Sequence, residues 1–151
     1  MIAILLALHI LSATFWVGGM LFAYWILRPA AAELDPAQRL PLWRSVFASF
    51  LPKVGFAIIL LLVTGFWLVF AAFGGFATLP MSVHLMMGIG ILMMLIFLHL
   101  VAAPWKRFRT AVDAGDFPTA AGYLNRIRVT VGLNTLLGLA TIAIAATGRY
   151  W

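Results

Sequence analysis

Residues 81–103 read MSVHLMMGIGILMMLIFLHLVAA, and this stretch decides the fold. It holds no Asp, Glu, Lys or Arg, and its apolar residues run on without the alternation that a membrane β-strand requires. A helix needs about 20 such residues to cross roughly 30 Å of hydrocarbon, and in lipid a helix satisfies every backbone group within itself. Three more runs of the same kind lie at 2–27, 54–73 and 129–147. The chain of 151 residues therefore reads as a single transmembrane domain, 1–151: an all-α, integral membrane four-helix bundle. Composition agrees, with 65% hydrophobic and 9% charged residues. Soluble domains hold about 45–50% and about 25%. A water-soluble globule of this size has no interior large enough for that much apolar side chain, which excludes a soluble enzyme or nucleic-acid binder.

The first run lacks a basic leader and continues into Trp25, Leu27 and Arg28, so it is expected to be a retained span and not a cleaved signal peptide. Cysteine is absent, which removes disulfides and thiolate ligands. Charge predicts the topology. Arg28, Arg39, Arg44 and Lys53 lie between spans one and two, and Lys106, Arg107, Arg109, Arg126 and Arg128 between spans three and four. The link from 74 to 80 is uncharged and the C-terminal tail carries only Arg149. The positive-inside rule places the two basic links in the cytoplasm and both termini on the outer side. It also explains the net charge of +6 without nucleic acid.

The basic links carry their own pattern. Asp35-Pro36 reads as an N-cap followed by proline at the first helical position, and Leu40, Trp43, Phe47 and Phe50 then recur at helical spacing. This predicts a short helix lying in the membrane interface. Asp116 and Pro118 repeat the start signal before Tyr123, Leu124 and Ile127. Trp25, Trp43, Trp105 and Trp151 are expected at the interfaces, and the glycines are expected to let helices approach closely.

An offset of 75 residues brings His9 onto His84, Phe22 onto Phe97, Pro29 onto Pro104 and Lys53 onto Arg128, with Tyr24 meeting His99. This suggests a duplicated helical hairpin, with spans one and three opposed across a pseudo-twofold axis. His9 and His84 each precede their proline by 20 residues, so both are expected roughly 30 Å from the basic ends, at one depth.

No span contains a carboxylate, because Glu33, Asp35, Asp113 and Asp116 all fall in the basic links. That argues against carboxylate acid–base catalysis and against a carrier that relies on buried acids. The intramembrane histidines remain, and imidazole ligates heme iron or copper through one nitrogen. His9 and His84 are the expected cofactor and metal ligands. Gly88 beside His84 leaves room for a flat macrocycle, and Trp16, mid-span, is positioned to pack against it. His99, near the basic end, is open to an interfacial, quinone-contact or heme-edge role. Thioethers suit Cu(I), so Met86 and Met87 join His9 and His84 in a copper reading. A third reading makes the histidines packing glue in an accessory subunit without cofactor.

Leu8-His9-Ile10 followed by Phe15-Trp16-Val17-Gly18-Gly19-Met20, with His99 before Pro104-Trp105-Lys106-Arg107 and Asn134 and Gly138 in the fourth span, resembles the short form of the copper-resistance protein D (CopD) family. That resemblance implies copper binding, uptake or tolerance; the expected location is a bacterial inner membrane, where the charge distribution makes both termini periplasmic. More distantly the chain resembles HemJ-type protoporphyrinogen oxidases, whose heme b is held by a first-span histidine and a lysine early in the third span. Here that stretch reads Val83-His84-Leu85-Met86. The departure argues against the oxidase activity and offers His84 as the substitute ligand. The leading expectation is heme b bound between His9 and His84 in membrane electron transfer. The partners would be the lipid bilayer, a quinol or a periplasmic redox or copper protein, and a homodimer is compatible with so small a bundle.

Overall fold

A computed structural model describes residues 1–150, and those residues contain helices and connecting turns with no strand. Trp151 lies outside the described residues. Helix α1 (Ile2–Ala32), α2 (Pro36–Phe73), the third span α3 (Met81–Ala102) with its continuation α4 (Pro104–Asp113), and α5 (Phe117–Thr147) give four rods long and apolar enough to cross a membrane. Large apolar side chains cover the outside, among them Ile4, Leu11, Phe56, Phe70, Leu98 and Leu136. In water that surface would drive aggregation; in lipid it costs nothing. The protein is a multi-pass membrane protein with a four-helix bundle.

The helices pair as two hairpins. α1 packs along α2, α3 packs along α5, and α1 meets α5 across the middle, while α1 and α3 make almost no close backbone contact. Two hairpins are present, as a duplication would require, but their registers differ. His9 lies against Gly65 in the first hairpin, so a strict copy would set His84 against Ala140 and Ser82 near position 142. Ser82 instead lies against Gly148, so the second hairpin has slid by roughly a turn and a half. The paired prolines also diverge. Before Pro29 the chain takes a π-helical turn over Ala23–Leu27 and continues, the wider turn absorbing the missing proline N–H. Before Pro104 it breaks, with Ala103 at φ −126° and ψ −70°, and α4 leaves in a new direction.

The separate interfacial helix expected over Leu40–Phe50 does not exist as such. Residues 36–73 form one helix of 38 residues that runs through Pro41 and Pro52 into the second span. Its Leu40, Trp43 and Phe47 are buried, not turned to lipid headgroups, because α4 folds back to cover them. Phe47 stands between Trp105 and Phe108, at 6.0 and 6.1 Å between ring centroids and in edge-to-face geometry. Trp43 and Trp105 are therefore core residues, whereas Trp25 is exposed as expected. Phe108 is fully buried, so this end of the bundle has an aromatic core of its own. The start signals hold their places. α2 begins at Pro36, although the Asp35 side chain makes no capping bond. α5 begins after Asp116, whose carboxylate accepts from the Thr119 N–H at 3.1 Å.

Arg44 clamps α4 onto α2 by donating twice to Asp113, at 2.6 and 3.0 Å, the only ion pair among the described residues. Those hydrogen bonds hold the Asp113 carboxyl below its ordinary range. A carboxyl depressed in the folded state adds stability above its unfolded pKa, near 3.9, and loses it as the pH falls through the folded value. Asp113→Asn is expected to melt below the parent at pH 7 in detergent and together with it near pH 2. A gap that persists unchanged into acid would show that the clamp is not ionic.

Candidate functional site

His9 lies on α1 between the centre and the uncharged end of the bundle, half-buried against α2. Its Nδ1 is 2.9 Å from the Thr64 hydroxyl oxygen, and that hydroxyl donates its own proton to the Leu60 carbonyl at 2.6 Å. With that proton on the Leu60 carbonyl the hydroxyl accepts from the imidazole, which assigns the hydrogen to Nδ1 and leaves Nε2 unprotonated; the ring also lies within reach of the Leu61 carbonyl. Gly65 forms the floor beneath the ring: a Cβ there would come 3.0 Å from His9 Cε1. Thr64 and Gly65 are the residues that sequence reasoning missed. The signal was a hydroxyl beside a glycine in an otherwise apolar span, but its meaning depends on which helix packs there.

His84 sits in the first turn of α3 and is exposed. Its Nδ1 lies 3.3 Å from the Pro80 carbonyl, which can only accept. Nε2 is again the bare nitrogen. Both imidazoles are thus oriented through Nδ1–H to oxygen, the arrangement in which protein histidines bind metals through Nε2. They have different partners, and no group of three or more His, Cys, Asp or Glu side chains comes together among the described residues. The helices nevertheless bring them to similar depth, because Val17 of α1 and Met93 of α3 both lie against Gly138 of α5.

The remaining expected residues divide. Trp16 is 3% exposed and meets Phe97 edge-on at 6.0 Å, so it belongs to the bundle core with Val17, Met20 and Met93. Gly88 is exposed, and a Cβ there would meet nothing within 4 Å, so it is not a close-approach position. The same holds for Gly18, Gly55 and Gly90, and the expectation that glycines mostly bring helices together narrows to Gly19, Gly65, Gly132 and Gly138 in the spans. Met86 and Met87 are half-buried and His99 is exposed near the basic end.

Asn134, 4% exposed, bonds from Nδ2 to the Met93 carbonyl at 3.4 Å, while its Oδ1 is buried without a partner. A lone amide oxygen in an apolar bundle costs about 1–3 kcal/mol. Asn134→Leu is therefore expected to raise the unfolding free energy by about 1 kcal/mol in denaturant titration of the detergent-solubilised protein; a loss above that size would show that Oδ1 has a binding partner in solution. No family model, no characterised protein and no solved structure matches the chain.

Proposed function

We propose that the protein binds heme b near the uncharged end of its bundle, where His9 and His84 would hold it, and works in membrane electron transfer. The observation that carries this reading is the shared state of the two imidazoles. Each is fixed through Nδ1–H to an oxygen and offers Nε2, on two spans that are opposed, separated and matched in depth. Packing glue would need no common polarity in the two rings.

The donor set fits the group. Two neutral nitrogens bind iron without bringing a charge into the membrane, and Gly65 sets the His9 ring close to α2. Thr64 fixes the ring's rotation across the helix pair, which a ligand on one helix alone would lack. When bound, the heme supplies one-electron redox chemistry, and two imidazoles leave its iron no open position for oxygen. The chain's own part is to orient the ligands, exclude water with the surrounding aliphatic side chains, and keep Nδ1 protonated.

The asymmetry of basic residues supports a cytoplasmic position for the end that carries α4, and so a periplasmic position for the heme and both termini. A quinol or a periplasmic redox protein is then the electron partner. The test is an absorption spectrum of detergent-purified protein from heme-sufficient cells, oxidised and then dithionite-reduced. A Soret band that sharpens on reduction with resolved α and β bands is the expected result. A featureless spectrum defeats the reading. Stoichiometric copper in such a sample would favour the copper-binding role that the CopD resemblance implies, with Met86 and Met87 beside His84.

A further inference from the structure

At the basic end, α1, α2 and α5 enclose a cavity of about 320 Å³. Arg28, Arg39 and Arg128, one from each helix, line it together with Tyr24, Trp43 and Phe47, and no carboxylate does. Arg44, Lys53 and Arg126 at this end are engaged, by Asp113, by the Ser49 carbonyl and hydroxyl, and over the Tyr123 ring; Lys106 and Arg107, outside the cavity, are as unpaired as the arginines that line it. Among the described residues Arg39 and Arg128 have neither hydrogen bond nor ion pair, and Arg28 has only the Tyr24 ring, 5.3 Å from its guanidinium carbon. Glu33 and Asp35 lie on the adjacent turn, yet neither reaches ion-pair distance.

Three arginines lining one cleft with no carboxylate among them bring like charges together, which an anion relieves, and the planar fork of arginine matches phosphate oxygens two at a time. The wall is prepared as well. Gly132 leaves space that a Cβ would take from the Tyr24 ring, at 3.1 Å, so the ring can lie beneath Arg28. Leu40 is fully buried behind the cavity, and Ala23, Leu124 and Val131 give it apolar sides. Its helices also carry exposed Ile26 and Val129 within two residues of Arg28 and Arg128, apolar surface at the same level of the bundle.

We propose that this cavity is a specific site for the phosphate headgroup of an anionic phospholipid, its acyl chains lying along the exposed faces of α1 and α5. The site holds α5 to the α1–α2 hairpin at the end where that hairpin's own clamp, Arg44, is committed to α4. It does not depend on the heme reading.

Native mass spectrometry of the detergent-purified chain tests it, titrating phosphatidylglycerol, phosphatidylcholine of the same acyl chains, and glycerol 1-phosphate. One equivalent of phosphatidylglycerol is expected to survive detergent release while phosphatidylcholine does not. Arg39→Gln and Arg128→Gln are each expected to weaken that binding about tenfold, the loss of one charge-assisted contact. Ala121→Trp, which fills the cavity from its rim, tests the same site without touching a charge. Lys106→Gln with Arg107→Gln, at the same end but outside the cavity, is expected to leave binding unchanged. Equal retention of both lipids, or an equal loss from the Lys106/Arg107 pair, would overturn the site. Glycerol 1-phosphate competing as well as the lipid would overturn the lipid in favour of a soluble phosphate compound.

Discussion

Gly138→Leu is expected to prevent the spans from converging, and even Gly138→Ala to cost about 1–3 kcal/mol. A Cβ at this position would lie 2.7 Å from Val17 Cγ2 and 3.2 Å from Met93 Cε. Methionine can turn aside, because its chain is unbranched. Val17 cannot, because two methyls on Cβ confine it to one rotamer in a helix and it is 4% exposed in the core. The added carbon must then push α1 away from α5, and that contact is where the two hairpins join. Lipid gives no hydrophobic drive to restore it, since the tails solvate a separated helix as well as its partner does. Gly55→Ala and Gly88→Ala are the controls: nothing lies within 4 Å of either new methyl, so each should be neutral or gain up to about 1 kcal/mol from helix propensity. Unfolding in mixed detergent micelles reads all of these. Equal effects at Gly138 and Gly88 would show that the helices meet elsewhere.

The contrast between those glycines marks what the sequence can carry. Four spans are legible because each is a local property, a run of apolar residues long enough for the membrane. Helix starts at Pro36 and after Asp116 are legible for the same reason, since cap chemistry acts within a turn. The upstream extent of α2 is not. Arg39, Arg44 and Lys53 end the apolar run, but helical hydrogen bonds continue past charges, and the buried side of that segment is decided by α4, which lies some sixty residues further on. Gly88 and Gly138 look alike in sequence and differ only in the helix opposite. The 75-residue offset aligns rare residues and says nothing about how far one helix slides along its partner. His9 could be singled out because a histidine inside a span is costly. Thr64 could not be assigned to it, because the pairing is made by the packing of α1 on α2. The arginine cavity was hidden by an explanation of another kind: basic residues at one end are what the positive-inside rule expects, and only three dimensions separate those that line a cavity from the rest.

His9→Ala is expected to abolish the heme spectrum altogether, and His84→Ala to change it without removing it. The two ligands are not held alike. His9 is half-buried, fixed by a hydroxyl on the neighbouring helix and seated on Gly65, so its orientation is already set before any iron arrives. His84 is exposed, and its Nδ1 is tied at 3.3 Å to the start of its own helix, where the first turn leaves the ring freer to move. Preorganisation concentrates affinity in the stiffer ligand. Losing His9 therefore removes the main attachment. Without His84 only His9 would hold the group, so the Soret band is expected to shift and the α and β bands to lose their resolution. Thr64→Val separates orientation from ligation. Valine keeps the shape and removes the acceptor, so Nδ1–H loses its partner and the imidazole becomes a weaker and more mobile donor. Loss of such an orienting partner typically costs about 10- to 100-fold in affinity. Titration of hemin into the purified apoprotein reads all three variants on one scale. If Thr64→Val binds as the parent does, the hydroxyl is packing alone. If His84→Ala, and not His9→Ala, empties the site, the ranking of the two ligands is reversed.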